Sequence, residues 1–199
     1  IDTTRHDPAI DGALPARYGA EYPKPKGSCR AALLEAMGLD APQPGRLLAA
    51  VGRLAAQKGW DVLVAALPKL VEDGASLVLL GDGDPALAAQ LREAAGRWPR
   101  RVHVTIGWDD VLARRVYAGA DCLLAPSRFE PCGLVQLLGQ RYGTLPIAHR
   151  VGGFVDTIED GETGILFEPL TPMAIAAAVD RAAALLRERG VLAVQRRLL

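Results

Sequence analysis

The sequence has no excess of charge of either sign. Its 23 lysines and arginines balance 23 aspartates and glutamates, so the formal net charge is zero. A protein that holds nucleic acid by bulk electrostatics needs a surplus of positive charge, and that surplus is missing here. We therefore expect no nucleic-acid partner, and any anionic ligand must be bound by a local group of cations.

Cysteines are few, and long apolar runs are missing. The three cysteines, Cys29, Cys122 and Cys132, are odd in number and widely spaced, which excludes a disulfide framework and matches no zinc spacing. We expect neither a metal nor a cofactor, and this cysteine usage favours a reducing, cytoplasmic location. No apolar stretch approaches the roughly 20 residues that a membrane span needs, so we expect no membrane partner.

An initiator methionine and a secretory signal pattern are also missing from the start of the chain, which begins Ile1-Asp2-Thr3. This start is typical of the interior of a longer protein, and we expect the chain to be part of one. Half of its 199 residues are hydrophobic. That is enough for one α/β domain with a well-filled core.

Two regions differ in their pattern. Residues 1–45 are rich in proline and contain one helix candidate, Ser28–Met37, which ends at the glycine Gly38. We interpret this region as a lead-in segment with one helix. Residues 46–199 alternate short apolar runs with amphipathic stretches, and we expect them to form the domain itself.

The alternation in residues 46–199 predicts six strands with helices between them. The predicted strands are Leu47–Val51, Leu77–Leu80, Val102–Ile106, Cys122–Ala125, Leu145–Ala148 and Thr163–Phe167. The predicted helices are Gly59–Glu72, Pro85–Trp98, Asp109–Ala118, Gly133–Tyr142, Val155–Glu159 and Pro172–Arg189. Continuous apolar strands of this kind predict a Rossmann-like α/β fold with a six-stranded, mostly parallel sheet. Pro146 predicts that its position is near the start of the fifth strand or at a sheet edge.

In such a sheet, ligands bind at the carboxyl ends of the strands. Arg53 and Lys58 follow the first strand, where a guanidinium fork and an ammonium group suit phosphate. Trp108 follows the third strand, beside Gly107, and suits the stacking of a nucleobase. From the residues alone, two solvated cations and a tryptophan packed on nearby helices remain alternatives.

The loop after the fourth strand runs from Ser127 to Leu134 and contains one carboxylate, Glu130, before a Pro-Cys-Gly turn. The carboxylate either caps the following helix or accepts hydrogen bonds from the hydroxyls of a sugar. After the fifth strand, Gly152 and Gly153 allow a close backbone approach to an anion.

Taken together and in order, these stretches resemble the bacterial glycogen synthase and plant starch synthase family, which are retaining glycosyltransferases of the GT-B fold. The resemblance covers nearly the whole chain and is most specific at Pro126–Leu134. Within the lead-in, residues 1–45, the start Ile1-Asp2-Thr3 with Pro8 resembles the interdomain linker of the family. Further matching stretches are Arg53-Leu54, Gln57-Lys58-Gly59, Gly81–Pro85, Tyr117–Asp121, Arg141–Pro146, Gly152-Gly153 and Asp156-Thr157.

The resemblance implies a catalytic set of Arg53, Lys58 and Glu130. Arg53 and Lys58 would bind the diphosphate of ADP-glucose and stabilise the charge on the departing ADP. Glu130 would hydrogen-bond the glucosyl hydroxyls and would not act as a nucleophile. The resemblance also implies that a further set contacts the substrate: Gly107, Trp108, Cys132, Gly133, Leu134, Val135, Gly152 and Gly153.

The implied reaction transfers glucose from ADP-glucose to the non-reducing end of an α-1,4-glucan, with retention of configuration. The family's N-terminal domain, which carries the acceptor groove, is missing from this sequence. We therefore expect the chain alone to bind ADP or ADP-glucose weakly and to transfer no glucose. Val135 stands where the family usually has a hydroxyl or amide residue, which leaves the preference for ADP over UDP open.

Two alternatives stay open at this point. One is a domain of another GT-B glycosyltransferase, of the sucrose, trehalose-phosphate or cell-wall type. Many of those enzymes carry a second glutamate eight residues after the first, where this chain has Leu138. The other is a non-catalytic module that binds a nucleotide or a partner chain, and the formation of a homo-oligomer is equally open.

Overall fold

The computed structural model describes all 199 residues, which fold into six β-strands and eight α-helices. The strands are β1 (Leu47–Leu54), β2 (Ser76–Gly83), β3 (Val102–Ile106), β4 (Cys122–Ala125), β5 (Leu145–His149) and β6 (Ile165–Phe167). The helices are α1 (Lys26–Met37), α2 (Trp60–Glu72), α3 (Pro85–Arg97), α4 (Asp110–Gly119), α5 (Val135–Arg141), α6 (Gly153–Thr157), α7 (Pro172–Arg189) and α8 (Val191–Leu198). None of these helices is both long enough and apolar enough to cross a membrane.

The six strands form one sheet in the order β3-β2-β1-β4-β5-β6, and every neighbouring pair is parallel. The predicted Rossmann-like α/β fold is therefore confirmed, with a wholly rather than mostly parallel sheet. Helices cover both faces, which explains why the strands are continuous apolar runs. The strand order reverses between β1 and β4, the point at which such sheets open a crevice for ligands.

The crevice opens because β1 and β4 pair over a short distance only. Leu48 is opposite Cys122 and Ala49 is opposite Leu123, and the pairing ends there. On its other side, β1 remains paired with β2 as far as Leu54. The last residues of β1 and β4 therefore separate and leave space between the carboxyl ends of the two strands.

Each face of the sheet has its own hydrophobic core. Leu63 and Leu67 of α2 and Val179 of α7 belong to the larger core of 28 buried residues. Leu33 of α1 and Val116 of α4 belong to the second core of 18 buried residues. Burying one such side chain stabilises the fold by about 1.5–3 kcal/mol. The two cores together therefore fix the sheet, including the edge at which the crevice lies.

The lead-in, residues 1–45, packs against the second core. Its Asp11 carboxylate is buried, accepts a 2.7 Å hydrogen bond from the Tyr142 hydroxyl and lies 2.7 Å from Arg114. The Tyr18 hydroxyl donates to the carbonyl of Tyr142 at 2.8 Å. The lead-in is thus fixed to the sheet and its helices, and a domain boundary at residue 45 stays a prediction.

The first residue of α1, Lys26, is fully buried. Its ammonium nitrogen donates to the carbonyl of Ala118 at 2.7 Å and to the hydroxyl of Thr144 at 2.8 Å. These bonds connect α1 to the end of α4 and to the start of β5. Burial lowers the pKa of Lys26 from its ordinary value of 10.5 to about 7.

Several elements differ from the predicted ones. Strands β1 and β2 each run three residues farther, to Leu54 and Gly83, because they continue to pair with each other. Helix α5 begins at Val135, two residues later than predicted, and α8 has no predicted counterpart. The edge alternative for Pro146 is wrong, because β5 lies between β4 and β6. The strand-start alternative is confirmed: Pro146 is the second residue of β5, and pairing with β6 begins only at Ile147.

Candidate functional site

A cleft of about 520 Å³ lies at the carboxyl ends of β1 and β4. Its walls include residues 50–53 of β1 and residues 124–127 at the end of β4. Arg53 lies within β1, opposite Asp82, and not in the loop that the sequence predicted. Of the predicted residues, the following line the cleft: Arg53, Lys58, Trp108, Glu130, Cys132, Gly133, Leu134 and Val135.

Lys58 ends a short 3₁₀ turn, Ala56–Lys58, that separates β1 from α2. The next residue, Gly59, has φ +70°, and a side chain there would collide with the carbonyl oxygen of Pro126. Only glycine permits both this backbone conformation and this close approach. The turn therefore packs directly on the segment after β4, and this packing brings Lys58 to Glu130.

Hydrogen bonds join the 3₁₀ turn to the segment after β4. The Arg128 N–H donates to the carbonyl of Gln57 at 2.8 Å, and the Gln57 amide donates to the carbonyl of Phe129 at 2.8 Å. The Arg128 guanidinium binds both oxygens of Asp61, at 2.8 and 2.7 Å, and thereby lowers the pKa of that carboxyl. A bidentate pair of this kind fixes orientation as well as distance.

Lys58 and Glu130 form an ion pair in the cleft, between the ammonium nitrogen and Oε2 of the carboxylate. The Ser127 hydroxyl donates to the same oxygen at 3.2 Å. Glu130 is only 6% exposed, so these partners replace hydrogen bonds that an exposed carboxylate would accept from water. Its other oxygen, Oε1, accepts no hydrogen bond from the protein and is free to bind a donor such as a hydroxyl group.

The charges that line the cleft favour an anionic ligand. Arg53 and Lys58 are the cations and Glu130 is the one carboxylate, which gives a net charge of +1. The Arg53 carbonyl accepts a 2.7 Å hydrogen bond from the indole of Trp60, whereas its guanidinium has no protein partner. A guanidinium without a partner at a cleft wall is suited to bind phosphate in a bidentate manner.

Gly152 and Gly153 lie behind the Glu130–Leu134 segment, here named the 130–134 loop, and do not line the cleft. A side chain at Gly152 would collide with the Glu130 carbonyl, and one at Gly153 with the Cys132 carbonyl. The Gly153 N–H also donates to the Glu130 carbonyl at 2.9 Å. The two glycines support the loop from behind, and their contact with substrate stays a prediction.

Trp108 stands at the rim of the cleft, just before α4. The side chain is 61% exposed, which is unusual for a tryptophan. Gly107, with φ +121°, makes the turn before it and does not line the cleft. An exposed indole at the rim is suited to stack on a planar base, and this role of Trp108 stays a prediction.

Three polar or aromatic residues of the cleft were not predicted as site residues. Ser127 binds the Glu130 carboxylate, and Trp60 and Tyr117 line the wall. The position of Ser127, just after a predicted strand and three residues before Glu130, is a sequence signal that could have identified it. Tyr117 begins the matching stretch Tyr117–Asp121, to which no role in the site was assigned. Trp60 has no such signal, because it enters the cleft from a helix whose placement depends on the tertiary structure.

The chain matches a family model described as glycosyl transferases group 1 over residues 45–184. It is 45% identical over 198 residues to the glycogen synthase of Roseobacter denitrificans, which covers 95% of this chain and 41% of that protein. It is 46% identical over 194 residues to the glycogen synthase of an Anaeromyxobacter species, with the same two coverages. The chain thus spans about two fifths of the length of these curated relatives.

Solved structures agree with the sequence relatives. The catalytic domain of starch synthase IV from Arabidopsis thaliana, bound to ADP and acarbose, superposes with a TM-score of 0.91 at 28% identity. The match covers all of this chain and 43% of that one. Sucrose-phosphate synthase from Thermosynechococcus elongatus gives a TM-score of 0.68 at 29% identity, over 84% of this chain and 43% of that one.

The family model covers well over half of the chain, and its residues 45–184 include every residue of the cleft. The resemblance to glycogen and starch synthases is confirmed by relatives at about 45% identity. The chain therefore belongs to the group 1 glycosyl transferases.

Proposed function

We propose that this chain is the C-terminal, ADP-glucose-binding half of a glycogen (starch) synthase. The whole enzyme would transfer glucose from ADP-glucose to the non-reducing end of an α-1,4-glucan, with retention of configuration. The observation that carries the proposal is the meeting of Arg53, Lys58 and Glu130 in one cleft, where the strand order of the sheet reverses. Glycogen synthases at about 45% identity support it.

The proposed donor fits the charges and surfaces of the cleft. The diphosphate is an anion, and the cleft has a net charge of +1 from Arg53, Lys58 and Glu130. The unpaired Arg53 guanidinium would bind phosphate oxygens, and the exposed Trp108 would stack on the adenine ring. Titration with ADP-glucose and with UDP-glucose measures whether the cleft prefers ADP over UDP.

The two cations would act most strongly as the reaction proceeds. When the bond between glucose and the diphosphate breaks, negative charge grows on the departing ADP. Arg53 and Lys58 would bind this developing charge more tightly than the charge of the intact donor, which lowers the barrier. Lys58 would then interact with both the phosphate and Glu130, since its ammonium group has three protons.

Glu130 would recognise the sugar and would not attack it. Its Oε2 is engaged by Lys58 and Ser127, while Oε1 is free to accept a hydrogen bond from a glucosyl hydroxyl. A retaining glycosidase needs a second carboxylate about 5 Å away, and Glu130 is the one carboxylate that lines this cleft. This favours a front-face displacement, in which the departing phosphate accepts the proton of the incoming hydroxyl.

The glucan acceptor would be bound outside this chain. The curated relatives are more than twice as long as the part that matches here. We expect the chain alone to bind ADP or ADP-glucose weakly and to transfer no glucose. Elongation of a glucan by the purified 199-residue chain would contradict this expectation.

The test is a calorimetric titration of ADP-glucose, UDP-glucose and ADP into the chain and two variants. Arg53→Ala removes a charge-assisted contact to phosphate and lowers the affinity for every nucleotide by about tenfold. Glu130→Ala removes the sugar contact, so that ADP-glucose is bound no better than ADP. Arg187→Ala is the control, because Arg187 is an exposed arginine on α7 outside the cleft.

The titration also decides between the alternatives. A preference for UDP-glucose would favour another GT-B enzyme. The structural similarity to sucrose-phosphate synthase gives an example of such an enzyme. Leu138 argues against it, because this leucine lines the cleft at the position of the second glutamate in many of those enzymes. Failure to bind any nucleotide would favour a non-catalytic module.

A further inference from the structure

A buried glutamine outside the cleft holds the 130–134 loop from behind. Gln136 lies in the first turn of α5, is 0% exposed and does not line the cleft. Its amide nitrogen lies 3.2 Å from the carbonyl of Cys132, 2.8 Å from that of Gly133 and 3.0 Å from the hydroxyl of Thr157. Its amide oxygen has no hydrogen-bond partner. A buried glutamine whose oxygen remains unpaired contributes here through its donor nitrogen.

The two carbonyls bound by Gln136 fix the direction of two backbone N–H groups. In a trans peptide the C=O and the following N–H point in opposite directions, and Glu168–Pro169 is the only cis peptide of the chain. The carbonyls of Cys132 and Gly133 are directed toward Gln136. The N–H groups of Gly133 and Leu134 are therefore directed away from Gln136. Both residues line the cleft, whereas Gln136 does not. Neither N–H donates to an acceptor of the protein.

Thr157 extends this connection to the other end of the loop. Its hydroxyl accepts from Gln136 and donates to the carbonyl of Gly153 at 2.6 Å. The N–H of Gly153 in turn donates to the carbonyl of Glu130 at 2.9 Å. Gln136 and Thr157 thus join α5 and α6 to both ends of the 130–134 loop.

We propose that Gln136 is a positioning residue that aims the N–H groups of Gly133 and Leu134 at the diphosphate of the bound nucleotide. The proposal rests on the function proposed above and adds a residue that touches no ligand. Two N–H groups without protein partners, at the wall of a cleft with net positive charge, form a site for phosphate oxygens. Gln136 maintains their direction because its amide binds the carbonyls of the same two peptides.

The test compares ADP with adenosine, since only ADP carries the diphosphate. Gln136→Met keeps the length of the side chain and removes the donor, so that the Cys132 and Gly133 carbonyls are no longer held. We expect the affinity for ADP, measured by calorimetry, to fall about tenfold, as for the loss of hydrogen bonds to a charged group. The affinity for adenosine stays unchanged. A purely structural role would not distinguish the two ligands.

Gln140→Met is the matched control. Gln140 lies one turn later on α5, and its amide donates to the carbonyls of Thr157 at 3.3 Å and Thr163 at 3.1 Å, without touching the loop. This variant removes a glutamine that also connects α5 to α6. Because Gln140 does not hold the 130–134 loop, we expect the affinity of Gln140→Met for ADP to stay unchanged. Thr157→Val is a milder variant that removes one hydroxyl of the connection, and it weakens ADP binding by about threefold.

The outcomes separate this inference from the function proposed above. If the unaltered chain binds no ADP, the proposed function is overturned and this inference with it. If Gln136→Met binds ADP as the unaltered chain does, or loses ADP and adenosine equally, only this inference is overturned. If thermal unfolding shows that Gln136→Met does not fold, Thr157→Val decides: an unchanged ratio of ADP to adenosine affinity overturns the inference.

Discussion

At the residue scale, the ion pair of Lys58 and Glu130 depends on a glycine that takes no part in the chemistry. Gly59 follows Lys58, has φ +70° and lies against the carbonyl oxygen of Pro126. The two charged residues are 72 positions apart in the sequence and meet because this glycine lets the two backbones approach. The close packing of Gly59 against Pro126 is thus required for Lys58 to reach Glu130 in the cleft.

We expect Gly59→Ala to destabilise the chain more than an alanine at a glycine with the same backbone conformation but open surroundings. Gly161 is such a control, with φ +80° and no neighbouring atom within 4 Å of the place that a β-carbon would take. Both substitutions force a positive φ on alanine, which costs about 1–2 kcal/mol. Only Gly59→Ala adds a collision with Pro126, which we expect to cost about 1–3 kcal/mol more, as overpacking typically does. Urea denaturation measures both values, and equal losses would show that the contact with Pro126 is not limiting.

At the scale of the element, α1 is held by a lysine that few proteins would bury. The Lys26 ammonium group donates to Ala118 at the end of α4 and to Thr144 before β5. Because burial lowers its pKa to about 7, the folded state releases a proton at a pH where the unfolded state still binds it. The helix is therefore held by a group whose contribution to stability depends on pH.

The free energy of unfolding should rise with pH between about pH 7 and pH 10.5, the folded and ordinary pKa values of Lys26. In this window the unfolded state binds more protons than the folded state, and the slope is at most about 1.4 kcal/mol per pH unit. We expect the stability of the unaltered chain to rise relative to that of Lys26→Met as the pH increases. Urea denaturation at a series of pH values measures the difference.

Lys24→Met is the control for this prediction, because Lys24 is exposed two residues earlier. Its stability should follow that of the unaltered chain at every pH. Burial also raises the pKa of Tyr18 and Tyr142, an effect that all three proteins share and that cancels in the comparison. A difference between the unaltered chain and Lys26→Met that does not change with pH would contradict the expectation.

At the scale of the whole molecule, the lead-in and the sheet share one core. Leu14 and Tyr18 of the lead-in belong to the same buried cluster as Leu47 of β1 and Val116 of α4. The cleft lies at the carboxyl edge of the sheet that this core supports. We therefore expect residues 1–45 to unfold together with the rest of the chain, in one cooperative transition.

Asp11→Ala tests this coupling of the lead-in to the sheet. Asp11 is 4% exposed and binds Arg114 and the Tyr142 hydroxyl, each at 2.7 Å. Removing one partner of a buried ion pair costs about 3–5 kcal/mol, so we expect a loss near 3 kcal/mol in a single urea transition. Asp7→Ala is the control, since the Asp7–Arg141 pair is partly exposed, and it should cost about 1 kcal/mol or less. A separate early transition for the lead-in would contradict the shared core.

Local patterns in the amino-acid sequence were enough to predict the elements and the chemistry of the residues that follow the strands. Short apolar runs and helical spacing located β3 and β4 to the residue and the other strands within three positions. The resemblance at Pro126–Leu134 indicated Glu130 as the carboxylate of the site, and the cleft contains it. These features were predictable because each depends on a few consecutive residues.

Which of these residues meet depends on the packing of whole elements. The order of the strands places β1 beside β4, and the cleft opens where their pairing ends, beyond Ala49. Nothing in a local pattern encodes that order. The same packing pairs Lys58 with Glu130, places Gly152 and Gly153 behind the loop, and turns Gln136 toward it. Contacts between residues far apart in the chain arise when helices and strands pack together, which is why the sequence supplied the parts of the site and the fold supplied their arrangement.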